Sequence, residues 1–308
     1  MAPATALVPP APPLYSEDQS SSTGGAMEIC PTKSETRAAV ARLKADGAVL
    51  GLVPTMGYLH DGHLKLVRAA KASCDRVAAS IFVNPTQFDE ASDLDAYPVD
   101  LDRDIALLEA EGVDLLFLPE AGEMYHPEAQ TVVETTGLAN VLIGALRPGH
   151  FRGVATVVTK LFNIVQPDRA FFGRKDYQQL QVIRTMVRDL DMPIKIIGVP
   201  TVRERDGLAM SSRNVRLTPA HRAAAPALNA ALDWAERALP QLPQSAEELA
   251  AAITSRVSDA AGAEIESVDI RDAETLAELS GRIARPAVIL LAVRFGDVLL
   301  IDQRVVTP

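Results

Sequence analysis

Val49-Leu-Gly-Leu-Val53-Pro-Thr-Met-Gly57-Tyr-Leu-His60-Asp-Gly62-His63 joins a short, almost unbroken apolar run to a polar, glycine-bearing one. The apolar half suits a strand buried on both faces of a parallel sheet. Pro54 ends it, and His63 to Ala72 then takes up helical spacing. Outward from this unit the alternation repeats. Upstream, Thr32 to Asp46 reads as a helix stopped by Gly47. Downstream, Val77 to Val83 and Val113 to Leu118 read as strands around a helix at Asp102 to Glu111. A second series follows, with helices at Gly153 to Val165 and Tyr177 to Leu190, and strands at Arg169 to Phe172 and Ile194 to Val199. Repeated βα units predict an α/β fold with a doubly wound parallel sheet.

After Val202 the pattern changes. An alanine-rich stretch, Pro219 to Leu239, reads as helical, Pro240 to Pro243 breaks it, and Ser245 to Ala260 resumes helix. Three strand-like runs close the chain, Glu264 to Ile270, Ala287 to Phe295 and Val298 to Ile301. Gly296-Asp297 between the last two is a hairpin signal. The expected organisation is a leader at 1–26 rich in Pro, Ser, Ala and Gly, a larger α/β domain at 27–201, and a smaller α+β domain at 202–308.

The 308 residues are ample for a buried core, and a formal net charge of −10 is the wrong sign for a surface that binds nucleic acid or anionic lipid. Any anionic ligand must be met by a local cluster of donors. Two cysteines, Cys30 and Cys74, build neither a disulfide framework nor a thiolate zinc site, which fits a reducing cytoplasm. No apolar run has the length of a membrane span.

In open α/β sheets ligands bind beyond the carboxyl ends of the strands, where the N–H groups of the next helix favour anions. His60 and His63, three apart, put both imidazoles on one side of a helix's first turn, and Gly62 leaves room for a phosphate. Two histidines in isolation also suit a helix cap. With Asp61 they also suit a metal, but no further ligand cluster at familiar spacing completes a site, so none is assigned. Phe172-Gly173-Arg174-Lys175-Asp176-Tyr177-Gln178-Gln179 repeats the strand-to-helix geometry. There Gly173 suits a tight turn, Lys175 offers charge to phosphate, and Asp176 is placed to cap the helix or accept from a ribose hydroxyl. Met210-Ser211-Ser212-Arg213 offers hydroxyl and guanidinium donors to a polyphosphate. Phe82-Val-Asn84-Pro85-Thr86-Gln87 carries Gln87 out of another strand. Donors without a candidate nucleophile imply catalysis by positioning and charge stabilisation.

Taken in order, Val53-Pro-Thr-Met-Gly57, His60-Asp-Gly-His63, Phe82-Val-Asn-Pro85 with Gln87-Phe88, Arg147-Pro-Gly-His-Phe-Arg-Gly153, Gly173 with Lys175-Asp-Tyr-Gln-Gln179, and Asp206-Gly-Leu-Ala-Met-Ser-Ser-Arg-Asn214 closely resemble the pantothenate synthetase, or pantoate-β-alanine ligase, family. The HxGH pattern of His60 to His63 is shared more widely, across nucleotidyltransferases. The resemblance implies a Rossmann-like N-terminal domain, a C-terminal lid and a homodimer. It also implies ATP and Mg2+ as co-substrate and cofactor, and condensation of (R)-pantoate with β-alanine through a pantoyl adenylate. By the same resemblance Met56, Gly57, His60, Gly62, His63, Gly173, Lys175, Asp176, Val202, Met210, Ser211, Ser212 and Arg213 bind ATP, and Gln87 and Gln179 grip pantoate. His60, His63, Lys175 and Arg213 then act on the phosphates, with His63 as the family's proton donor. Attack by a carboxylate needs no base, so His63 is read chiefly as an electrostatic stabiliser. Three features depart from the family: Arg174 where Glu is usual, Thr86 where Met is common, and the residues before Met27. The alternatives are another HxGH nucleotidyltransferase acting on a phosphorylated substrate and an inactive nucleotide-binding regulator.

Overall fold

The computed structural model describes residues 26–88, 94–239 and 245–308. The predicted leader, except its last residue, and the Pro240 to Pro243 break lie outside them. Six strands form one all-parallel sheet: β1 (Glu28–Cys30), β2 (Leu50–Thr55), β3 (Arg76–Ile81), β4 (Leu115–Phe117), β5 (Arg169–Gly173) and β6 (Lys195–Val199). Their order is β1-β4-β3-β2-β5-β6. The chain builds outward from β2 through β3 to β4, then returns to the other side of β2 with β5. The strand order therefore reverses between β2 and β5, and a crevice opens there at the carboxyl edge.

Alternate residues feed the two faces of this sheet. Leu50, Leu52, Ala78, Phe117 and Phe172 join one core with the helices α1 (Lys33–Leu43), α4 (His150–Val165) and α5 (Tyr177–Asp189). Val53, Val77, Ala79, Leu116 and Phe171 join the other with α2 (Asp61–Lys71) and α3 (Leu101–Ala110). Gly51 is needed because a Cβ there would meet Cys74 Sγ at 2.9 Å and Phe171 at 3.1 Å. Burial raises the Cys30 thiol to about 12, as suits a packing residue.

The C-terminal segment has its own core, formed by α6 (Ala227–Ala238) and α7 (Ala246–Ser258) against an antiparallel sheet of β7 (Ala263–Asp272), β8 (Ala287–Phe295) and β9 (Val298–Val306). Ser245 and Glu248 close a capping box on α7.

Four sequence expectations need correction or refinement. The alanine-rich helical stretch is two helices, Pro219–Ala224 and α6, because Pro226 has no N–H to continue the ladder and sits as the N-cap of α6. The last strand runs past Ile301 to Val306, since Asp302 and Gln303 are buried polar residues that interrupt the apolar pattern but keep the pairing. β1 was not expected, and three residues are too few for a periodicity to register. Gly47 has φ +78° as expected of a helix stop, but α1 already ends at Leu43, with Lys44 as its C-cap.

Candidate functional site

His60 is the N-cap of α2, and the cap is built from two histidines. The Gly62 N–H donates to His60 Nδ1 at 3.1 Å, and the His60 N–H donates to His63 Nδ1 at 3.3 Å. An amide N–H cannot accept, so each Nδ1 must present its lone pair, and each neutral ring carries its proton on Nε2. The rings stack with centroids 4.1 Å apart. Burial, reinforced by the Lys175 charge, lowers His60 to about 4. Burial, then His60 and Lys175, lowers His63 to about 3. Both are therefore neutral N–H donors near pH 7, poorly suited to act as acids. A Cβ on Gly62 would come within 2.7 Å of the His60 ring. The side of Gly62 on which a Cβ would project is thus packed by the His60 ring.

The turn leading into this cap bends through two left-handed residues, Gly57 (φ +83°) and Tyr58 (φ +50°). The N–H groups of Tyr58 and Leu59 donate to the two carboxylate oxygens of Asp104, on α3, at 2.6 and 2.7 Å. Asp104 gave no signal in the sequence, since it looks like one more acid in an acidic first turn.

Gln87 lies in a short helical turn, Pro85–Gln87, after β3. Asn84, 1% exposed, accepts from Tyr125 Oη at 2.7 Å and from Thr86 Oγ1 at 3.0 Å, and donates from Nδ2 to Gln87 Oε1 at 3.0 Å. That bond turns the Gln87 NH2 toward Met56 Sδ, 3.1 Å away. Thr86 spends its hydroxyl within this network. Gly153 of α4 brings the helix against the turn, because a Cβ there would sit 2.4 Å from the Thr86 carbonyl oxygen. Asn84 and Gly153 both stand in stretches the sequence had flagged, but only their contacts reveal that they hold Gln87.

A cavity of about 630 Å³ spans the crevice and is lined by Met56, Gln87, Lys175, Asp176, Gln179, Ser211 and Arg213 among the expected residues. Its far wall belongs to the C-terminal sheet, with Ser267, Leu290 and Asp302. Arg147 and His150 also line it, and His150 Nδ1 lies 2.8 Å from the Gln87 carbonyl oxygen. The two imidazoles are not part of this wall, but the charge of Lys175, which is, reaches both. Asp176 occupies the N-cap of α5 without a side-chain cap bond, and pairs with Lys175 at 3.8 Å. Capping is therefore not its role. Gly173 needs no special turn: its φ is not positive, and a Cβ there would meet open space. Arg174 is exposed and donates to the Gly198 carbonyl at 3.0 Å.

The Met210 N–H donates to the Val202 carbonyl at 2.9 Å, tying the Met210 to Arg213 stretch back to Val202. Ser211 caps the short helix Ser212–Arg216, and the Ser212 hydroxyl pairs with Tyr97. Among the described residues no group of three or more His, Cys, Asp or Glu side chains converges on a metal position, and no helix is long and apolar enough to cross a membrane.

A family profile described as pantoate-beta-alanine ligase matches residues 28–305. A pantothenate synthetase of Sinorhizobium medicae is 52% identical over 282 residues, covering 92% of this chain and 97% of the relative. One of Bartonella henselae is 50% identical, covering 90% and 98%. The crystal structure of pantothenate synthetase from Thermus thermophilus superposes with a TM-score of 0.86 at 48% identity, over 92% of this chain and all of that one. A pantoate-beta-alanine ligase from Francisella tularensis, complexed with beta-gamma ATP and beta-alanine, gives 0.73 at 35% identity, over 91% and 98%.

Proposed function

The chain belongs to the pantoate-beta-alanine ligase family, and from that premise we propose how its own residues divide the work. The enzyme condenses (R)-pantoate with β-alanine at the expense of ATP. In the first half-reaction a pantoate carboxylate oxygen bonds to the α-phosphorus of ATP, the bond from that phosphorus to the β-bridging oxygen breaks, and pyrophosphate leaves. In the second, the amine of β-alanine attacks the acyl carbon of the pantoyl adenylate, AMP leaves with the bonding electrons, and the amine gives up a proton.

The observation that supports the division of labour is the pair of linked histidines within reach of the Lys175 charge, with Lys175, Gln87 and Gln179 lining one cavity. His60 and His63 present Nε2–H donors to the charge growing on the phosphates, and Lys175 and Arg213 supply full positive charge. Because both rings are neutral, His63 stabilises by hydrogen bonding and does not transfer a proton. Asp176, freed from capping, is placed to accept from a ribose hydroxyl. Gly57, Gly62, Gly173 and Val202 act through their backbone, and Met210, Ser211 and Ser212 complete the nucleotide side. Gln87 offers its NH2 to pantoate because Asn84 has fixed its carbonyl inward. Mg2+ would enter with ATP. When bound it neutralises phosphate charge.

We extend the reading to a cytoplasmic homodimer whose segment 202–308 covers the crevice as a lid. The test is release of pyrophosphate and AMP by purified protein with ATP, Mg2+ and pantoate, with and without β-alanine. AMP formation that depends on β-alanine is expected. Pyrophosphate release without that dependence returns the reading to another HxGH nucleotidyltransferase, and tight ATP binding without release to a regulator.

A further inference from the structure

We infer that Asp104 is the positioning residue that holds the histidine loop in register with the phosphates. This rests on the function proposed above. The loop must turn abruptly from the end of β2 into the cap of α2, and it does so through consecutive left-handed residues at Gly57 and Tyr58. For tyrosine that conformation is unfavourable and persists only where the surroundings enforce it. It also turns two successive N–H groups, of Tyr58 and Leu59, to the same side. Such a pair is a ready anion site, and here it is filled from within the protein. The Asp104 carboxylate, 1% exposed, takes one N–H on each oxygen at 2.6 and 2.7 Å.

The contact has no slack. Gly57 is tight against the same carboxylate, where a Cβ would lie 3.1 Å from Oδ2. Leu59 is buried in the sheet core on one side of the turn, and the Arg103 guanidinium sits over the Tyr58 ring, 5.9 Å from its centroid, on the other. The next residue after Leu59 is His60, whose own N–H fixes the His63 tautomer. A shift of the turn therefore passes directly into both imidazoles. The carboxylate lies beneath the loop, bonded to backbone, so it acts through the histidines.

The experiment is Asp104→Asn, which keeps the shape but sets an NH2 against one of the two N–H donors. Unliganded protein is read by 15N NMR of the imidazoles, and turnover by pyrophosphate release. Wild type is expected to give two rings protonated at Nε2 alone. The variant is expected to show mixed tautomers, with kcat down roughly 10- to 100-fold and the KM for β-alanine nearly unchanged. Leu108→Ala, one turn further along α3 and fully buried in the same core, is the matched control. It is expected to lose thermal stability while keeping both imidazole signals and kcat. If the Asn chain does not fold, Gly57→Ala presses a methyl on the same carboxylate and is expected to give the same pair of effects. Wild-type imidazole signals and kcat in the loop variants overturn the inference, as does a Leu108→Ala that matches Asp104→Asn in both readouts. The NMR readout needs no substrate, so it remains informative even if the wild type fails to make AMP, which would instead defeat the proposed reaction.

Discussion

Gly153→Ala is the sharpest test of how the proposed pantoate side of the crevice is built. The added Cβ would lie 2.4 Å from the Thr86 oxygen, 2.6 Å from its carbonyl carbon and 2.8 Å from Gln87 Cα. Ordinary contact begins near 3.4 Å, so α4 and the Pro85–Gln87 turn must separate by roughly 1 Å. All three clashing atoms are backbone, so no side chain can swing aside. The Asn84 Nδ2 bond to the Gly153 carbonyl, already 3.3 Å long, would be lost by such a shift, loosening the group that orients Gln87. Overpacking costs about 1 to 3 kcal/mol, and alanine returns about 1 kcal/mol of helix propensity, so the fold survives. A displacement of this size at a substrate-orienting residue costs about 100-fold in kcat/KM for pantoate. ATP affinity should scarcely move, because Lys175, Ser211 and Arg213 stand on other loops. Steady-state kinetics with pantoate varied, beside ATP titration by calorimetry, separate the two. A variant with wild-type kcat/KM for pantoate, or one that loses ATP binding in equal measure, would refute the packing argument.

Further outcomes follow from the same geometry. His63→Ala should lower kcat about 100- to 1000-fold with far less effect on ATP affinity, as expected for a lost donor to transition-state charge; an unchanged kcat defeats that role. The depressed histidines make stability depend on pH. Their contribution is complete above the ordinary 6.5 and is lost as pH falls toward about 4 and 3, because the unfolded chain then binds protons that the folded rings refuse. The drop in melting temperature between pH 7 and 4.5 should therefore be smaller in a His60→Gln/His63→Gln variant than in wild type. Asp302→Asn breaks a bidentate pair with Arg203 at 2.6 and 2.9 Å, in which the carboxylate is almost wholly buried. It should cost about 3 kcal/mol, read from the urea midpoint.

Much of the site was legible because its chemistry is local in sequence. Strand, turn and helix cap follow one another within Val49 to His63, so the positions of Pro54, His60 and His63 state where the turn and the start of the helix fall. The same holds for Gly173 to Gln179. Partner choice is a different matter. Whether the His60 ring packs against Gly62 depends on a rotamer, and only the packed structure supplies it. Asp176 carries the same capping propensity whether or not it caps.

The sequence by itself determined the alternation of strands and helices, the loops that bear donors and the acidic composition, because periodicity and residue type are properties of short windows. Only the tertiary structure decided the strand order that sets β5 beside β2 and opens the crevice between them. It alone brought Asp104 under Tyr58, 46 residues away, and Gly153 against Thr86. It also fixed the protons of the two histidines, through backbone N–H groups whose direction depends on a turn held from a distant helix. Pairing between remote segments is chosen by the whole packed chain, and no local window contains both partners.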